Sequence, residues 1–241
     1  MRLNELIEID NKQLYSFTRE QTQVFLTARL GDGCIATTNS NSTYYSSNCK
    51  YLEYLEFKKK LIGKGKIKYQ IRNGYSQTPI YTYYGGAYPD LKKIKELPLQ
   101  DVVNNLDSLG IALWFYDDGS LHKRDHYYNL NTQGFSREIQ EQIFIPFFNK
   151  LNIFPKIRID NSHNHPLYFL GINKYEGAYI INQILRQYPI NCYSYKLWSS
   201  ETIQIWSKLQ EQLKSADIPL TNRQLSNRWR YIRYSPNFME T

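Results

Sequence analysis

Two aspartates, Asp32 and Asp118, are the residues of this sequence whose type and spacing could do chemistry together. Each is followed by glycine and preceded by a stretch rich in apolar residues, and they lie 86 positions apart. Two carboxylates that meet in a fold supply hard oxygen ligands, which suit a divalent cation such as Mg²⁺. A single Asp-Gly pair is more often only a turn. The chemical interpretation therefore depends on the elements that position these two residues.

One internal repeat relates the surroundings of the two aspartates. Leu30–Gly33 matches Tyr116–Gly119, and two further matches follow in the same order at nearly the same offset. They pair Lys60–Lys68 with Lys150–Arg158 and Pro79–Tyr81 with Pro166–Tyr168. Because repeated matches at one spacing are the signature of duplication, each half should carry the same elements.

The elements that lead to the aspartates are predicted helices, at Thr22–Leu30 and Leu106–Tyr116. Gly33 and Gly119 are expected to end them, in the position that glycine often takes just after a helix. Each half then predicts two strands, an amphipathic helix, two more strands and a closing helix. The fold class is therefore α+β, with two pseudo-symmetric αββαββα halves and antiparallel sheets.

The same order of elements sets the expected domain boundaries. The amphipathic helices are predicted at Tyr51–Ile62 and Arg137–Leu151, and the closing helices near Leu91–Lys95 and at Tyr175–Tyr188. The first half is expected at residues 1–97, a linker at 98–105, the second half at 106–215 and a basic C-terminal extension at 216–241.

Composition favours a nucleic acid partner and a reducing compartment. Lys and Arg number 30 against 22 Asp and Glu, a net charge of +8, and cations at a phosphate backbone release counterions. Cys34, Cys49 and Cys192 form no CxxC pair and the four histidines show no metal-binding spacing, so neither a disulfide framework nor zinc is expected. No apolar run reaches the roughly 18 residues of a membrane span. We expect an intracellular protein, in a bacterial or phage cytoplasm, a chloroplast or a mitochondrion.

One face of a predicted strand in each half carries long polar side chains. In the first half, Lys66, Lys68, Gln70 and Arg72 alternate with apolar residues. A strand ribbon of this kind fits the major groove of DNA, although an ordinary solvated sheet face looks the same in a single strand. Its recurrence in both halves of a basic chain strengthens the DNA interpretation and leaves the two interpretations about equally supported. The residues predicted to contact DNA are Lys66, Lys68, Gln70, Arg72, Tyr75, Lys123, Arg124, Lys156, Arg158 and Asn161.

The two aspartate segments resemble the motifs of LAGLIDADG homing endonucleases. Phe25–Gly33 ends in LGDG and Ile111–Gly119 contains WFxDDG, two variants from the subgroup encoded within organellar and microbial introns. Asn131–Ser136 is similar to the family's T-Q-x-F-S strand end, Tyr195–Leu197 to its Y-K-L, and Lys92–Pro98 to its basic lead into the second half. The resemblance covers most of the chain.

The resemblance implies that two motif helices pack side by side between the halves. Ala28 and Ala112 would allow a close approach, which brings Asp32 and Asp118 together. Two carboxylates at the negative ends of helix dipoles repel each other, and a divalent cation relieves that repulsion. The implied metal ligands are Asp32, Asp118, Gly31 and Asp117, the last mainly through its backbone carbonyl.

The family's reaction is metal-dependent cleavage of both DNA strands across the minor groove, leaving short 3′ overhangs. Mg²⁺ is the expected cofactor, and other divalent cations such as Mn²⁺ are expected to substitute. Gln133 would position a water and Lys196 would stabilise charge on the scissile phosphate. In the first half, the residue equivalent to Gln133 would be Ser47 or Asn48, and the residue equivalent to Lys196 would be Lys92 or Lys93. The implied catalytic set is Asp32, Asp118, Gln133, Lys196, Lys93 and Asn48.

Two positions depart from the family pattern, and two other functions use the same fold. Thr27 and Arg29 stand where the family prefers glycine or an apolar residue, so the arginine needs a partner or solvent. An intron RNA maturase, with the host intron RNA as its partner, and a DNA-binding protein without cleavage are the alternatives. The intact acidic pair favours cleavage. Since both motifs lie in one chain, we expect a monomer that binds one long, asymmetric DNA duplex and no membrane.

Overall fold

The computed structural model describes residues 14–71, 79–162, 165–172 and 175–215, which form two similar halves. The first half contains α1 (Arg19–Thr27), β1 (Gly33–Thr37), β2 (Thr43–Cys49), α2 (Leu52–Ile62), β3 (Lys66–Ile71), β4 (Pro79–Ala87) and α3 (Leu91–Glu96). The short helix α4 (Leu99–Asn104) follows, within the segment predicted as a linker. The domain boundaries themselves stay a prediction.

The second half repeats this order with additions at its end. It contains α5 (Ser108–Asp118), β5 (Gly119–His122), β6 (Tyr127–Leu130), the helix α6, β7 (Lys156–Asp160), β8 (Leu167–Ile172), α7 (Tyr175–Gln187), a 3₁₀ helix (Asn191–Lys196) and α8 (Ser200–Ser215). The helix α6 consists of Arg137–Ile139, a π-helical turn Gln140–Phe144 and Ile145–Lys150. No described helix is long and apolar enough to cross a membrane.

Each half is built on one four-stranded antiparallel sheet. The strand order is β1-β2-β4-β3 in the first half and β5-β6-β8-β7 in the second. Helices cover one face of each sheet, where buried aromatic residues such as Tyr45, Tyr83 and Tyr128 form the core. The predicted α+β fold with two similar halves is confirmed.

The motif helices α1 and α5 pack against each other at the interface between the halves. Their tightest contact is at Gly110, where a Cβ atom would lie 2.2 Å from Gln23 Oε1. Buried Gln23 also accepts a hydrogen bond from the Asp107 amide at 3.0 Å and donates one to the Asn105 carbonyl at 3.0 Å. Ala112 is buried in α5, but the close approach depends on Gly110, which the motif comparison did not single out.

The two motif glycines differ in how they meet the predicted role. Helix α1 ends at Thr27, well before Gly33, so the expectation that Gly33 ends this helix is wrong. Gly119 directly follows the last residue of α5, as predicted, but in an extended conformation with φ −81° and ψ 149°. Both residues open strands. Neither position has room for a side chain. At Gly33 a Cβ atom would lie 2.5 Å from Ala28 Cβ, and at Gly119 it would lie 2.5 Å from the Phe115 carbonyl oxygen.

Both departures from the family pattern in the first motif have local partners. The Thr27 hydroxyl donates to the Gln23 carbonyl at 2.9 Å, within α1. The Arg29 guanidinium donates to three carbonyls at the end of α3, those of Ile94, Lys95 and Leu97, at 2.9, 2.6 and 3.1 Å. Because carbonyls at the end of a helix lack a full set of partners within it, Arg29 satisfies them and joins the end of α3 to the first motif.

Candidate active site

Asp32 and Asp118 lie together where the two halves meet. Asp32 follows the turn after α1, and Asp118 is the last residue of α5. Gly31 is packed so closely that a Cβ atom there would be 2.8 Å from Asp118 Oδ2. Burial, together with the neighbouring carboxylates, raises the pKa of Asp32 and raises the pKa of Asp118 to about 7. The structure thus brings the two predicted carboxylates close together. Their buried negative charges are unfavourable, and a proton or a cation would neutralise them.

Asp117 has a different environment from its neighbour Asp118. Its carboxylate lies 2.8 Å from Lys58 Nζ, and both side chains of this ion pair are 1% exposed. The Tyr54 hydroxyl donates to the same carboxylate at 2.6 Å. Lys58 also donates to the Ser47 hydroxyl at 3.3 Å. With its side chain engaged in this way, Asp117 can offer a cation its backbone carbonyl, as the sequence predicts.

Lys196 lies beside the end of α5 and is buried. Its ammonium group donates to the carbonyls of Phe115 and Tyr116 at 3.1 and 2.6 Å, and lies 4.6 Å from the centre of the Tyr193 ring. Burial lowers the pKa of Lys196 to about 8, although the nearby aspartates act in the opposite direction. A lysine with this pKa can carry a positive charge or release a proton near neutral pH.

A cleft of about 500 Å³ opens onto these residues. Its lining includes Asp32, Lys196, Tyr195 and Asn48. The Asn48 side chain accepts a hydrogen bond from the Thr82 hydroxyl at 2.7 Å, which fixes it at the end of β2. The cleft therefore collects carboxylate, amide and ammonium groups from both halves in one space that a phosphodiester could enter.

Comparison with known proteins identifies the family. The family model described as the LAGLIDADG DNA endonuclease family matches residues 28–180, which is more than half of the chain and includes both aspartates. The chain belongs to the LAGLIDADG DNA endonuclease family. The predicted resemblance is confirmed. No curated protein matches the sequence.

Solved structures with the same LAGLIDADG fold are similar to this chain. The homing endonuclease I-WcaI bound to its DNA recognition sequence has a TM-score of 0.60 and 20% identity, covering 78% of this chain and 91% of that one. I-DmoI in complex with DNA and Mn has a TM-score of 0.44 and 15% identity, covering 69% and 97%. The N-terminal LAGLIDADG domain of DUF199/WhiA has a TM-score of 0.46 and 11% identity, covering 77% and 91%.

Two further residues that the LAGLIDADG resemblance implied for catalysis are Lys93 and Gln133. Lys93 is 59% exposed on α3 and forms an ion pair with Asp90 at 2.8 Å. Leu91 and Ile94 face the core, so amphipathic α3 turns Lys93 to solvent, and its predicted catalytic role stays a prediction. Gln133 lies half-buried in the turn after β6, and its predicted role stays a prediction.

Strand register gives Asn48 a different equivalent in the second half. Gly33 pairs with Ser47 and Gly119 pairs with Leu130, so the residues that follow, Asn48 and Asn131, occupy matching positions. The Asn131 amide donates to the Asp118 carbonyl at 2.9 Å. Asn131 was not among the predicted site residues, because the offset of the internal repeat does not align it with Asn48 and only the strand pairing does.

The resemblance to LAGLIDADG endonucleases in the sequence did not point to Lys58 or Tyr54 as site residues. The buried positions of α2 are Tyr54, Leu55, Lys58 and Ile62. Lys58 thus stands in the middle of an apolar helix face, where a lysine requires a buried anion. That local pattern predicts a partner, but it does not say which carboxylate provides it.

The first sheet places its predicted DNA contacts on the face away from the helices. Lys68 and Asn48 are both paired with Thr82, so all three lie on one face, whereas the adjacent Tyr83 points into the core. Lys66 and Gln70 share this face with Lys68 because strand residues alternate. Arg72 and Tyr75 lie outside the described residues.

In the second sheet, Arg158 lies along the surface of the open face. Its guanidinium is 4.5 Å from the centre of the Tyr127 ring, and Nη1 donates to the Tyr127 hydroxyl at 3.2 Å. It crosses β8 at Gly171, where a Cβ atom would be 2.5 Å from Arg158 Nε. Tyr127 in turn stacks on His122 at 4.6 Å. The other predicted contacts of this half are exposed: Lys123, Arg124, Lys156 and Asn161.

The raised pKa of Asp118 predicts how the stability of the metal-free protein depends on pH. Its folded pKa of about 7 is above the ordinary value of 3.8, so the folded state binds more protons between these values. Stability should therefore fall as pH rises from about 4 through 7, and Asp118→Asn should be more stable than wild type at pH 8 by up to about 4 kcal/mol. Urea unfolding with a chelator at pH 6 and pH 8 measures this, with the exposed Asp101→Asn as control. An equal pH dependence in Asp118→Asn and wild type would contradict it.

Proposed function

We propose that this chain is a homing endonuclease that makes a metal-dependent double-strand break in a long, asymmetric DNA target. The observation that carries the proposal is the pairing of Asp32 and Asp118 at the interface between two halves. Burial raises the pKa of both carboxylates, the negative charge of Asp117 raises both further, and Asp32 also raises the pKa of Asp118. Two repelling carboxylates on a protein surface that only binds nucleic acid would weaken that binding, so cleavage is favoured over a maturase or an inactive DNA-binding protein.

The residues present fit a divalent cation, with Mg²⁺ as the proposed cofactor and Mn²⁺ as a substitute. Asp32 and Asp118 would bind it with their carboxylates, and Gly31 and Asp117 with backbone carbonyls, a donor set of hard oxygens. Within the described residues, no three His, Cys, Asp or Glu side chains are grouped to hold a metal ion. Water and the phosphates of DNA are therefore expected to complete the coordination. When bound, the cation supplies an activated water and stabilises the leaving 3′ oxygen.

Lys196 and Asn48 would act on the DNA from the wall of the cleft. Lys196 is held by two carbonyls with its ammonium group beside the acidic pair, which suits a cation that balances charge on a scissile phosphate. Asn48 is fixed by Thr82 on the face that carries the basic strand residues, so it can orient a water or a phosphate oxygen. Both positions lie within the cleft that opens at the interface.

A plasmid-library cleavage assay tests the proposed function. Wild-type protein with Mg²⁺ is expected to linearise only plasmids that carry one long, non-palindromic sequence and to leave 3′ overhangs. A chelator should abolish the reaction. If no plasmid is cut with Mg²⁺ or Mn²⁺ while the host intron RNA binds tightly, the maturase alternative would replace cleavage.

The open faces of the two sheets predict how DNA binding responds to loss of charge. Lys68→Ala and Arg158→Ala should each weaken target affinity by about 1–3 kcal/mol if the residue reads a base edge. A phosphate contact would instead weaken binding to all sequences alike and reduce the salt dependence. Lys60→Ala is the matched control, because Lys60 is exposed on α2, away from these faces. Fluorescence anisotropy over a salt series measures all three; unchanged affinity in both test variants would remove these strands from the interface.

The presence of both motifs in one chain predicts a monomer. The motif helices α1 and α5 already meet within one polypeptide, so no second copy is needed to pair the aspartates. The strand Lys66–Ile71 also differs from Lys156–Asp160, which favours two unlike half-sites. Light scattering of the free protein and of its DNA complex should give one copy of the 28.7 kDa chain. Twice that mass, with a palindromic target, would contradict the prediction.

A further inference from the structure

Helix α2 of the first half binds the segment of the second half that carries Lys196. Glu53, near the start of α2, accepts two backbone hydrogen bonds across the interface. Its Oε1 accepts from the Asn191 amide and its Oε2 from the Cys192 amide, both at 2.9 Å. These two residues begin the 3₁₀ helix that ends at Lys196. A carboxylate bonded to the first amides of a helix is favourably placed, and hydrogen bonds to a charged group are stronger than neutral ones.

Aromatic contacts fix the middle of the same segment. The Tyr193 ring meets Tyr51 and Tyr54 edge-on, at 5.3 and 5.0 Å between ring centres, and both belong to the first half. Its opposite contact is a stacked one with Tyr116 of α5, at 5.4 Å. The segment Asn191–Lys196 therefore lies in a slot formed by both halves, and Glu53 holds the end at which the chain enters that slot.

We infer that Glu53 is a positioning residue: it holds the segment Asn191–Lys196 so that Lys196 reaches the acidic pair. The inference rests on the proposed function of Lys196. A residue of the first half would thus control the position of the Lys196 ammonium group, which belongs to the second half. Lys58, the buried cation that α2 supplies, is engaged by Asp117, so it cannot replace Lys196. Loss of Glu53 should therefore slow the cut that depends on Lys196 more than the cut of the other strand.

The test compares Glu53→Ala with Glu56→Ala in the full chain. Glu56 is exposed one turn away on the same helix and serves as the matched control. On supercoiled plasmid with the target site, Glu53→Ala should accumulate nicked circles because the second cut slows about tenfold, the size expected from losing charge-assisted hydrogen bonds. Target affinity and thermal midpoint should stay at the values of Glu56→Ala. Glu53→Gln, which keeps one acceptor, should lie between the two variants.

Two measurements without cleavage separate this inference from the proposed function. Hydrogen exchange at the Asn191 and Cys192 amides, and acylation of the Lys196 ammonium group followed by mass spectrometry, should both rise in Glu53→Ala and stay unchanged in Glu56→Ala. If wild type cuts no DNA but both signals rise, the proposed function fails and the positioning by Glu53 stands. Unchanged exchange and acylation would overturn the positioning role. If exchange and acylation rise in Glu53→Ala but the cuts of the two DNA strands slow equally, the expected effect on one strand only would be overturned.

Discussion

Asp32→Asn and Asp118→Asn should each abolish double-strand cleavage while leaving specific DNA binding intact. In the proposed function, the two carboxylates at the interface provide the negative charge that a divalent cation needs, and the strands recognise DNA. Asparagine keeps the shape of the side chain and removes the charge. We expect a loss of at least about 10³-fold in cleavage rate, more than the 10–100-fold that is typical when a residue only supports a metal ligand.

The same substitutions should not unfold the protein. Burial and the nearby Asp117 carboxylate raise the pKa of both aspartates, so removing either charge relieves a destabilising interaction. Thermal midpoints at or above that of wild type are therefore expected without metal. Adding Mg²⁺ should raise the midpoint of wild type and have little effect on either variant. Asp101→Asn, on the exposed side of α4, should cut like wild type; an Asp32 or Asp118 variant that still cuts both strands at near wild-type rate would refute the assignment.

The second large effect is expected at the buried ion pair of Lys58 and Asp117. Lys58→Met leaves the Asp117 carboxylate buried without its cation, and should destabilise the fold by about 3–5 kcal/mol. Asp117→Asn leaves the Lys58 ammonium in the same position and should also be costly. Combining both changes removes the two charges together, while the amide at position 117 can still accept a hydrogen bond from Tyr54. The double variant should recover most of the lost stability.

A double-mutant cycle of urea unfolding measures this coupling. The exposed Lys60→Met on the same helix is the control, and it should change stability by less than about 0.5 kcal/mol. If the costs of Lys58→Met and Asp117→Asn simply add, the ion pair has no net coupling. A strong coupling would show that α2 joins the halves through charge as well as through apolar packing.

The patterns that are local in sequence were enough to predict the architecture of this protein. The internal repeat located Asp32 and Asp118, and the alternation along β3 placed Lys66, Lys68 and Gln70 on one face. Such patterns depend on the period of a strand or a helix, which acts between neighbouring residues. The α+β fold and the two halves followed from such patterns, and the LAGLIDADG family followed from the resemblance of the two motif segments; all three are confirmed.

The site itself shows where this reasoning stops. A periodic pattern tells which side chains turn toward the core, but not which partner they meet there. Lys58 and Asp117 are 59 positions apart and belong to different halves. Glu53 and Asn191 are 138 positions apart. Only the packing of α1 against α5 brings these groups within hydrogen-bonding distance.

The expectation that Gly33 ends a helix was wrong for a related physical reason. Gly33 was assigned to a helix end because glycine tolerates unusual backbone angles, whereas the folded chain needs the space of its missing side chain, as it also does at Gly119. Lys93 was chosen by its position in the chain, and α3 buries Leu91 and Ile94 and so turns Lys93 to solvent. Sequence alone determined which groups could do chemistry here. The tertiary structure decided which of them stand together, because contacts between the halves depend on shape and distance that no local pattern encodes.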